Sequence, residues 1–217
     1  HETGDPMPKR LLAGVERLAR LPLAQMIAVA AVTCALYAGS LKIGFLNDDP
    51  TGHFRWMEER SLVALFTSAS GYPFYRPLTF ALWKVLYALL GGYDPAGFHL
   101  LNVLFHAMNA ALLWALGYVL TRRRPYAMLA GLLFACFPFS YEAVAYAGAL
   151  FHPLITFLIL ATLLLYHESK RRQSTALFGA AHAVLVLALF THENGVIAPM
   201  LILGWEFLDW ARGRPFN

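Results

Sequence analysis

Charged side chains are scarce in this sequence. Asp, Glu, Lys and Arg make up 14% of the 217 residues, whereas a soluble globular domain carries ~25%. Hydrophobic residues reach 59% and come in long blocks separated by short polar stretches. This pattern excludes an ordinary soluble domain and predicts an integral membrane protein in contact with membrane lipids. The basic residues behind the formal charge of +4 then indicate membrane orientation, and we expect no nucleic-acid partner.

Cysteine is also scarce, and no metal-binding spacing is present. Cys34 and Cys136 both lie inside apolar runs, so we expect them to pack as small apolar side chains rather than to form a disulfide. No His-x-x-x-His or paired-cysteine spacing occurs, which argues against a structural metal site. No cofactor is predicted, although a divalent metal held by carboxylates is left open.

Six long apolar runs and one shorter stretch, 76–91, set the topology. The sixteen residues of 76–91 would reach ~24 Å as a helix, short of the ~30 Å hydrocarbon core. If this stretch crossed the membrane, eight basic residues in later loops would face away from the basic N-terminus, contrary to the positive-inside rule. We therefore expect it to lie in the interface, with Trp83, Lys84 and Tyr87 at headgroup level. The six runs are 21–45, 97–120, 126–140, 152–166, 175–190 and 195–210.

This topology predicts an all-α polytopic membrane helix bundle with about six transmembrane helices and an interfacial juxtamembrane helix. Residues 1–20 form a cytoplasmic N-terminal segment, and no cleavable signal peptide is expected because run 21–45 is long enough to remain as an anchor. Residues 21–217 form a single transmembrane domain, in which 46–96 is the first outer loop with its juxtamembrane helices. Both termini are expected in the cytoplasm.

Ionisable side chains gather on the outer face in this topology. Asp48 and Asp49 follow the first apolar run, where two carboxylates can act as a general base or hold a metal beside a lipid-borne substrate. The alternative is that Asn47 or Asp48 caps the next helix and that the pair only favours its positive N-terminus. Arg76 and Lys84 carry charge that suits a lipid phosphate or diphosphate. The outer ends of other segments add Glu142, His152, His192 and Glu193, the last three with helix starts or caps as their structural alternative.

Several short segments recur in a recognisable order between residues 45 and 195. They are Asn47-Asp48-Asp49, Tyr75-Arg76-Pro77-Leu78-Thr79, the stretch 97–106, Pro138 with Glu142-Ala143-Val144, and Glu193-Asn194-Gly195. In this order they resemble the GT-C superfamily of polytopic glycosyltransferases. The most similar branch includes the transmembrane, TPR-containing O-mannosyltransferases and their bacterial relatives.

The resemblance implies a membrane glycosyltransferase that takes its sugar from a polyprenyl-phosphate lipid at the outer membrane face. For a bacterial protein this is the outer face of the inner membrane. The resemblance implies that Asp48 or Asp49 is the general base that activates the acceptor hydroxyl. We expect Arg76, Lys84 or His192 to balance the charge of the leaving phosphate. The remaining substrate-binding candidates, expected around the same outward-facing cavity, are Glu142, His152 and Glu193.

Departures from the family pattern keep a second function open. Phe137, Ala149 and Phe151 stand where relatives carry His, Arg and Asp, and His192 stands where they commonly carry Lys. The family's catalytic module has at least seven spans with more chain beyond it. We therefore expect the chain to be the ordered part of a longer protein, a truncated relative, or a pseudoenzyme kept as a membrane scaffold. Whether it is an active enzyme is left open, and the alternative is a non-catalytic accessory or scaffold subunit of a larger membrane protein complex.

Overall fold

The computed structural model describes residues 21–46, 49–68, 72–211 and 213. In this part of the chain all regular structure is helical, which confirms the predicted all-α membrane helix bundle. The predicted N-terminal segment 1–20 and Asp48 lie outside the described residues. Short 3-10 or π turns occupy Ala38–Lys42, Asp49–Phe54, Ala147–Ala149 and Glu193–Val196. The α-helices are α1 Pro22–Tyr37, α2 Arg55–Glu58, α3 Leu62–Thr67, α4 Pro77–Leu90, α5 Pro95–Thr121, α6 Arg124–Ala135, α7 Ser140–Ala145, α8 Phe151–Arg172, α9 Thr175–Leu189 and α10 Ile197–Ala211.

Proline sets the start of several helices. Pro22, Pro77 and Pro95 open α1, α4 and α5, because the first helical position needs no backbone N–H donor and already requires the φ that proline imposes. Asp94 adds a cap to α5, since its Oδ2 accepts a hydrogen bond from the Gly97 amide at 3.0 Å. These local signals fix where the chain enters the bundle.

Two tight turns create antiparallel helix pairs. α5 is capped by Arg122 with φ of 57°, and α8 is capped by Gln173 with φ of 51°, both in the left-handed region that terminates helices. α6 then begins at Arg124 and α9 at Thr175, so α5 runs antiparallel to α6 and α8 to α9. The basic residues of both turns consequently lie at one end of the bundle.

α5 is the central helix of the bundle. It packs against α1, α6 and α8, and its 27 residues span ~40 Å. Glycines allow neighbouring backbones to approach closely: a Cβ on Gly117 would lie 3.2 Å from Ala127 Cα, and one on Gly131 would lie 3.0 Å from the Ala110 carbonyl oxygen. Such small-residue contacts are the usual means by which membrane helices associate.

Among the residues that the structure describes, three helical segments are long and apolar enough to cross a membrane: Pro22–Lys42, Pro95–Thr121 and Ala147–Arg172. α9 and α10 have 15 residues each and α6 has 12, which gives lengths of ~18–23 Å. The helix in run 126–140 is therefore shorter than predicted, because the chain leaves the helix at Cys136, two residues before Pro138. The six-span count stays a prediction.

Both cysteines carry free thiols. Cys34 is half-buried within α1, whereas Cys136 is exposed at the end of α6. The prediction of core packing is therefore wrong for Cys136, because this residue follows the last turn of its helix instead of lying within it.

The described residues of segment 46–96 pack around an aromatic core that also includes the start of α5. Phe54, Phe80 and Trp83 are buried together, with the Trp83 ring centroid 5.3–5.4 Å from the other two in edge-to-face geometry. Trp83 is thus buried by protein, and its depth at lipid headgroup level stays a prediction. Its indole is enclosed by protein because one face of α4 packs onto the short helices before it.

Candidate functional site

Arg76 lies buried at the start of α4 and forms a two-pronged ion pair with Glu193. Its Nη2 donates to Glu193 Oε1 at 2.7 Å and its Nε donates to Oε2 at 3.3 Å. The guanidinium carbon also lies 4.3 Å from the Phe74 ring centroid and 4.2 Å from that of Phe151. The Arg76 side chain is 9% exposed and that of Glu193 is 59% exposed. The pair therefore ties the start of α4 to the turn between α9 and α10.

Two histidines lie beside this ion pair. The His192 ring stacks on Phe151 with centroids 5.3 Å apart, and the His152 ring lies 5.7 Å from His192. Burial, together with the positive charge of Arg76, lowers the pKa of His192 and keeps its imidazole neutral at pH 7. The hydrogen bond from Arg76 lowers the pKa of Glu193 and keeps its carboxylate charged. We call the set Arg76, His152, His192 and Glu193 the basic–acidic cluster.

A cavity of about 500 Å³, here called the site cavity, adjoins this cluster. Its wall comes from the middle of α5, the end of α6, α7 and the start of α8. Glu142 and His152 place a carboxylate and an imidazole on this wall, and Tyr146 and Phe151 add aromatic faces. A mostly apolar cavity with a few polar groups is the common form of a small-molecule site.

Asp49 is fully buried against the Ala147–Ala149 turn. Its Oδ2 accepts a hydrogen bond from the Leu46 amide at 3.4 Å. A Cβ on Gly148 would collide with Asp49 Oδ1 and would lie 2.8 Å from Tyr146 Cζ, so only glycine permits this approach. Tyr146 also lines the site cavity, and it therefore connects the surroundings of Asp49 with the cavity wall. Among the described residues no group of three His, Cys, Asp or Glu side chains is arranged to hold a metal ion.

A buried polar stripe on α5 was not assigned to the site by sequence reasoning. Its members recur at spacings of three, four and three, which places them on one helix face: His99, Asn102, His106 and Asn109. Asn102 Nδ2 donates to the Tyr146 carbonyl at 2.8 Å, and Asn109 Nδ2 donates to the Pro153 carbonyl at 2.7 Å. These bonds hold the chain on both sides of Phe151. The spacing of polar residues in an otherwise apolar helix is the signal that could have identified them.

The structure brings together some of the predicted residues and separates others. Glu142 shares the cavity wall with His152 of the basic–acidic cluster. Lys84 lies elsewhere, because its Nζ donates to the Met57 carbonyl at 3.1 Å within segment 46–96. His192 also has the capping role that was its structural alternative. Its Nδ1 accepts a hydrogen bond from the Asn194 amide at 3.1 Å and caps the short turn that follows.

The known proteins that this chain resembles are protein O-mannosyl-transferases. It is 28% identical to protein O-mannosyl-transferase Tmtc2 of Drosophila melanogaster over 199 residues, which cover 82% of this chain and 21% of that protein. Identity to human TMTC3 is 28% over 194 residues, which again cover 82% of this chain and 21% of that protein. Identity to human TMTC4 is 35% over 92 residues, or 36% of this chain and 12% of that protein. No family model and no solved structure gives a significant match.

The chain spans about a fifth of the length of the relatives that it matches over most of its residues. The relatives named here come from animals. Their similarity over about four fifths of the chain confirms the resemblance that the order of motifs indicated. The chain is therefore an all-α, glycosyltransferase-like membrane protein that is similar to the TMTC protein O-mannosyl-transferases.

Proposed function

We propose that the chain transfers a sugar from a polyprenyl-phosphate lipid to a hydroxyl acceptor at the outer face of the membrane. The observation that carries this proposal is the buried Arg76–Glu193 pair beside two histidines at the edge of the site cavity. A buried guanidinium is costly unless it is paired, and its planar set of donors suits a phosphate. The names of the relatives make mannose the first sugar to test.

The proposed reaction forms one bond and breaks one. The acceptor oxygen attacks the anomeric carbon, and the bond from that carbon to the phosphate oxygen breaks with its electron pair leaving on polyprenyl phosphate. The hydroxyl proton passes to a carboxylate that acts as general base. A direct attack of this kind inverts the anomeric configuration.

Arg76 is assigned to the leaving phosphate. A guanidinium has five N–H donors, and Glu193 engages Nε and one N–H of Nη2, which leaves three donors for phosphate oxygens. Glu193 fixes the direction of these donors. Phe74 and Phe151 cover the guanidinium, and their low polarity strengthens its interaction with an anion. His192 is neutral in this setting and contributes hydrogen bonding rather than charge.

The two aspartates receive different roles in this proposal. Asp49 is buried and its Oδ2 accepts from the Leu46 amide, so its carboxylate holds the loop against Gly148. We assign the general base to Asp48. Glu142, on the cavity wall, is assigned to a hydroxyl of the sugar or of the acceptor.

The test is sugar transfer by membranes that contain only this chain, with polyprenyl-phosphate mannose and related donors, with and without added divalent metal. Asp48→Asn keeps the shape of the side chain but cannot accept the proton, so we expect a loss of ~10²–10⁴-fold in rate. Glu59→Gln is the control, because it makes the same change at an exposed side chain. If Asp48→Asn and Asp49→Asn both transfer sugar as well as wild type, the catalytic assignment is wrong.

The orientation is part of the proposal. Placing the site cavity outside puts the basic turns at 122–124 and 170–172 in the cytoplasm, as the positive-inside rule requires. Both termini are then cytoplasmic in the six-span topology. In a bacterium the protein would lie in the inner membrane with the cavity facing away from the cytoplasm.

A second function, that of an accessory or scaffold subunit, is favoured by one observation. Phe137, Ala149 and Phe151 all line the site cavity. By the resemblance to the GT-C superfamily, they stand where relatives often carry His, Arg and Asp, so the cavity would present apolar surface at three positions that are often polar in that superfamily. If the chain is an accessory or scaffold subunit, we expect the wild-type protein to bind no polyprenyl phosphate and to copurify in fixed ratio with a larger membrane complex.

A further inference from the structure

A second cavity, of about 850 Å³, lies at the opposite end of the bundle. The C-terminal ends of α5, α8 and α10 line it, whereas the start of α8 lines the site cavity. We call it the basic-end groove, because the basic turns after α5 and α8 meet there.

The groove has an apolar wall with charge at one end. On each of the three helices the apolar lining residues precede the charged one: Leu116 precedes Arg122, Leu163 precedes Lys170, and Leu201 precedes Asp209. Along α10 the lining extends from Met200 to Leu208, a rise of ~12 Å. The groove therefore runs parallel to the helices, with charge confined to the end that the topology places at the membrane surface.

The charge at this end is positive, and the three cations that line the groove, Arg122, Lys170 and Arg171, differ in their pairing. Lys170 Nζ is bound by Glu206 Oε1 at 2.5 Å and lies 4.0 Å from Asp209. Arg171 is paired with Glu168. None of the carboxylates that the structure describes forms an ion pair with Arg122. The helix ends together carry more basic than acidic side chains: Arg122, Arg123, Arg124, Lys170, Arg171 and Arg172 against Glu168, Glu206 and Asp209.

We propose that the basic-end groove binds an anionic phospholipid, with its headgroup phosphate on Arg122 and an acyl chain along the apolar wall. Basic pockets between membrane helices are suited to anionic headgroups, and the charge of the phosphate complements Arg122. A protein helix in the same groove would cover Leu201 and Leu208 but would offer Arg122 an anion only if it carried an acidic side chain at that level, whereas an anionic phospholipid always carries its charge in the headgroup. The distribution of charge therefore selects a lipid over a helix as the occupant.

The test is native mass spectrometry of the protein released from micelles that contain either dioleoylphosphatidylglycerol or dioleoylphosphatidylcholine. Wild type should retain the anionic lipid in preference to the zwitterionic one. Arg122→Gln should reduce this preference about five-fold, which corresponds to the ~1 kcal/mol typical of one basic residue near an anionic surface. Arg123→Gln is the matched control, because Arg123 does not line the groove and lies over the Tyr126 ring. Equal retention of the two lipids, or equal effects of the two variants, would overturn the proposal.

A steric pair of variants tests the position of the acyl chain. Gly204 lines the groove and a Cβ there would meet no atom within 4 Å, so Gly204→Leu fills the groove without displacing protein. Gly179→Leu is the control, since its Cβ is equally unobstructed but lies on α9, outside the groove. Gly204→Leu should lower lipid retention while Gly179→Leu leaves it unchanged. If Gly204→Leu instead dissociates a dimer, or changes no lipid peak, the groove belongs to another occupant and the proposal fails.

Discussion

Substituting Arg76 alone and substituting Glu193 alone should lower the free energy of unfolding by unequal amounts. Arg76 is 9% exposed, whereas Glu193 is 59% exposed. In Glu193→Gln the guanidinium stays buried and loses its charged acceptor, because the amide oxygen is a weaker partner than a carboxylate. Hydrogen bonds to charged groups contribute ~1.5–3 kcal/mol, so we expect the free energy of unfolding to fall by ~2 kcal/mol, within that range.

In Arg76→Met the carboxylate that remains is already half in water and can be hydrated at little cost. The thioether can pack on the Phe74 and Phe151 rings, which offsets part of the lost cation–π contact. We therefore expect a loss below ~1 kcal/mol. Because no buried charge remains, adding Arg76→Met to Glu193→Gln should restore most of the stability that Glu193→Gln loses.

The assay is thermal unfolding of the purified protein in detergent micelles, followed by tryptophan fluorescence. For a chain of this size ~2 kcal/mol corresponds to a fall in Tm of about 4–8 °C. The matched pair is Arg55→Met and Glu59→Gln, whose ion pair is exposed at both ends and should shift Tm little. A larger loss for Arg76→Met than for Glu193→Gln would refute the reasoning that Arg76 is the buried member.

Three further predictions follow from other parts of the structure. Gly148→Ala should lower the free energy of unfolding by ~1–3 kcal/mol, because its Cβ collides with neighbouring side chains; an unchanged Tm would contradict the packing described here. The fold lowers the pKa of His192 below its usual 6.5 and that of Glu193 below its usual 4.5, so the unfolded chain takes up protons first as pH falls. Thermal stability should therefore decline from about pH 6.5 downwards and again below about pH 4.5, and His192→Phe should reduce the upper part of that decline. Cysteines introduced at Arg123 and Lys170, in a background without other cysteines, should react only with membrane-permeant reagents, and labelling of either by an impermeant reagent from outside would exclude the six-span topology.

Helix positions were largely predictable from the sequence. Stretch 76–91 became α4, Pro77–Leu90, and run 175–190 became α9, Thr175–Leu189. These matches reflect the strength of two local signals, the length of an apolar block and the proline or polar residue that interrupts it. The exception was run 126–140, where the apolar composition continued beyond the helix into Phe137 and Phe139.

The site was less predictable, because its contacts depend on residues far apart in the chain. The polar character of Arg76 and Glu193 was evident, but their pairing across 117 positions was not. The burial of Trp83 depends on packing by the short helices before it, which periodicity does not encode. The burial of Asp49 depends on the absence of a side chain at Gly148, and a single glycine carries little signal in a sequence. The Lys170–Glu206 contact between α8 and α10 was likewise invisible before the helices were placed.

Binding of sugar-free polyprenyl phosphate tests the central claim most directly, because both Arg76 and the site cavity are assigned to that lipid. The measurement compares wild type, Arg76→Gln and Arg55→Gln in the same micelles, with Arg55 as an exposed arginine of the same segment. The account predicts that wild type and Arg55→Gln bind alike and that Arg76→Gln binds about tenfold more weakly, as expected for loss of ~1.4 kcal/mol from a charge-assisted contact. Absence of binding by wild type, or equal binding by all three proteins, would contradict the proposed glycosyltransferase site and favour the scaffold.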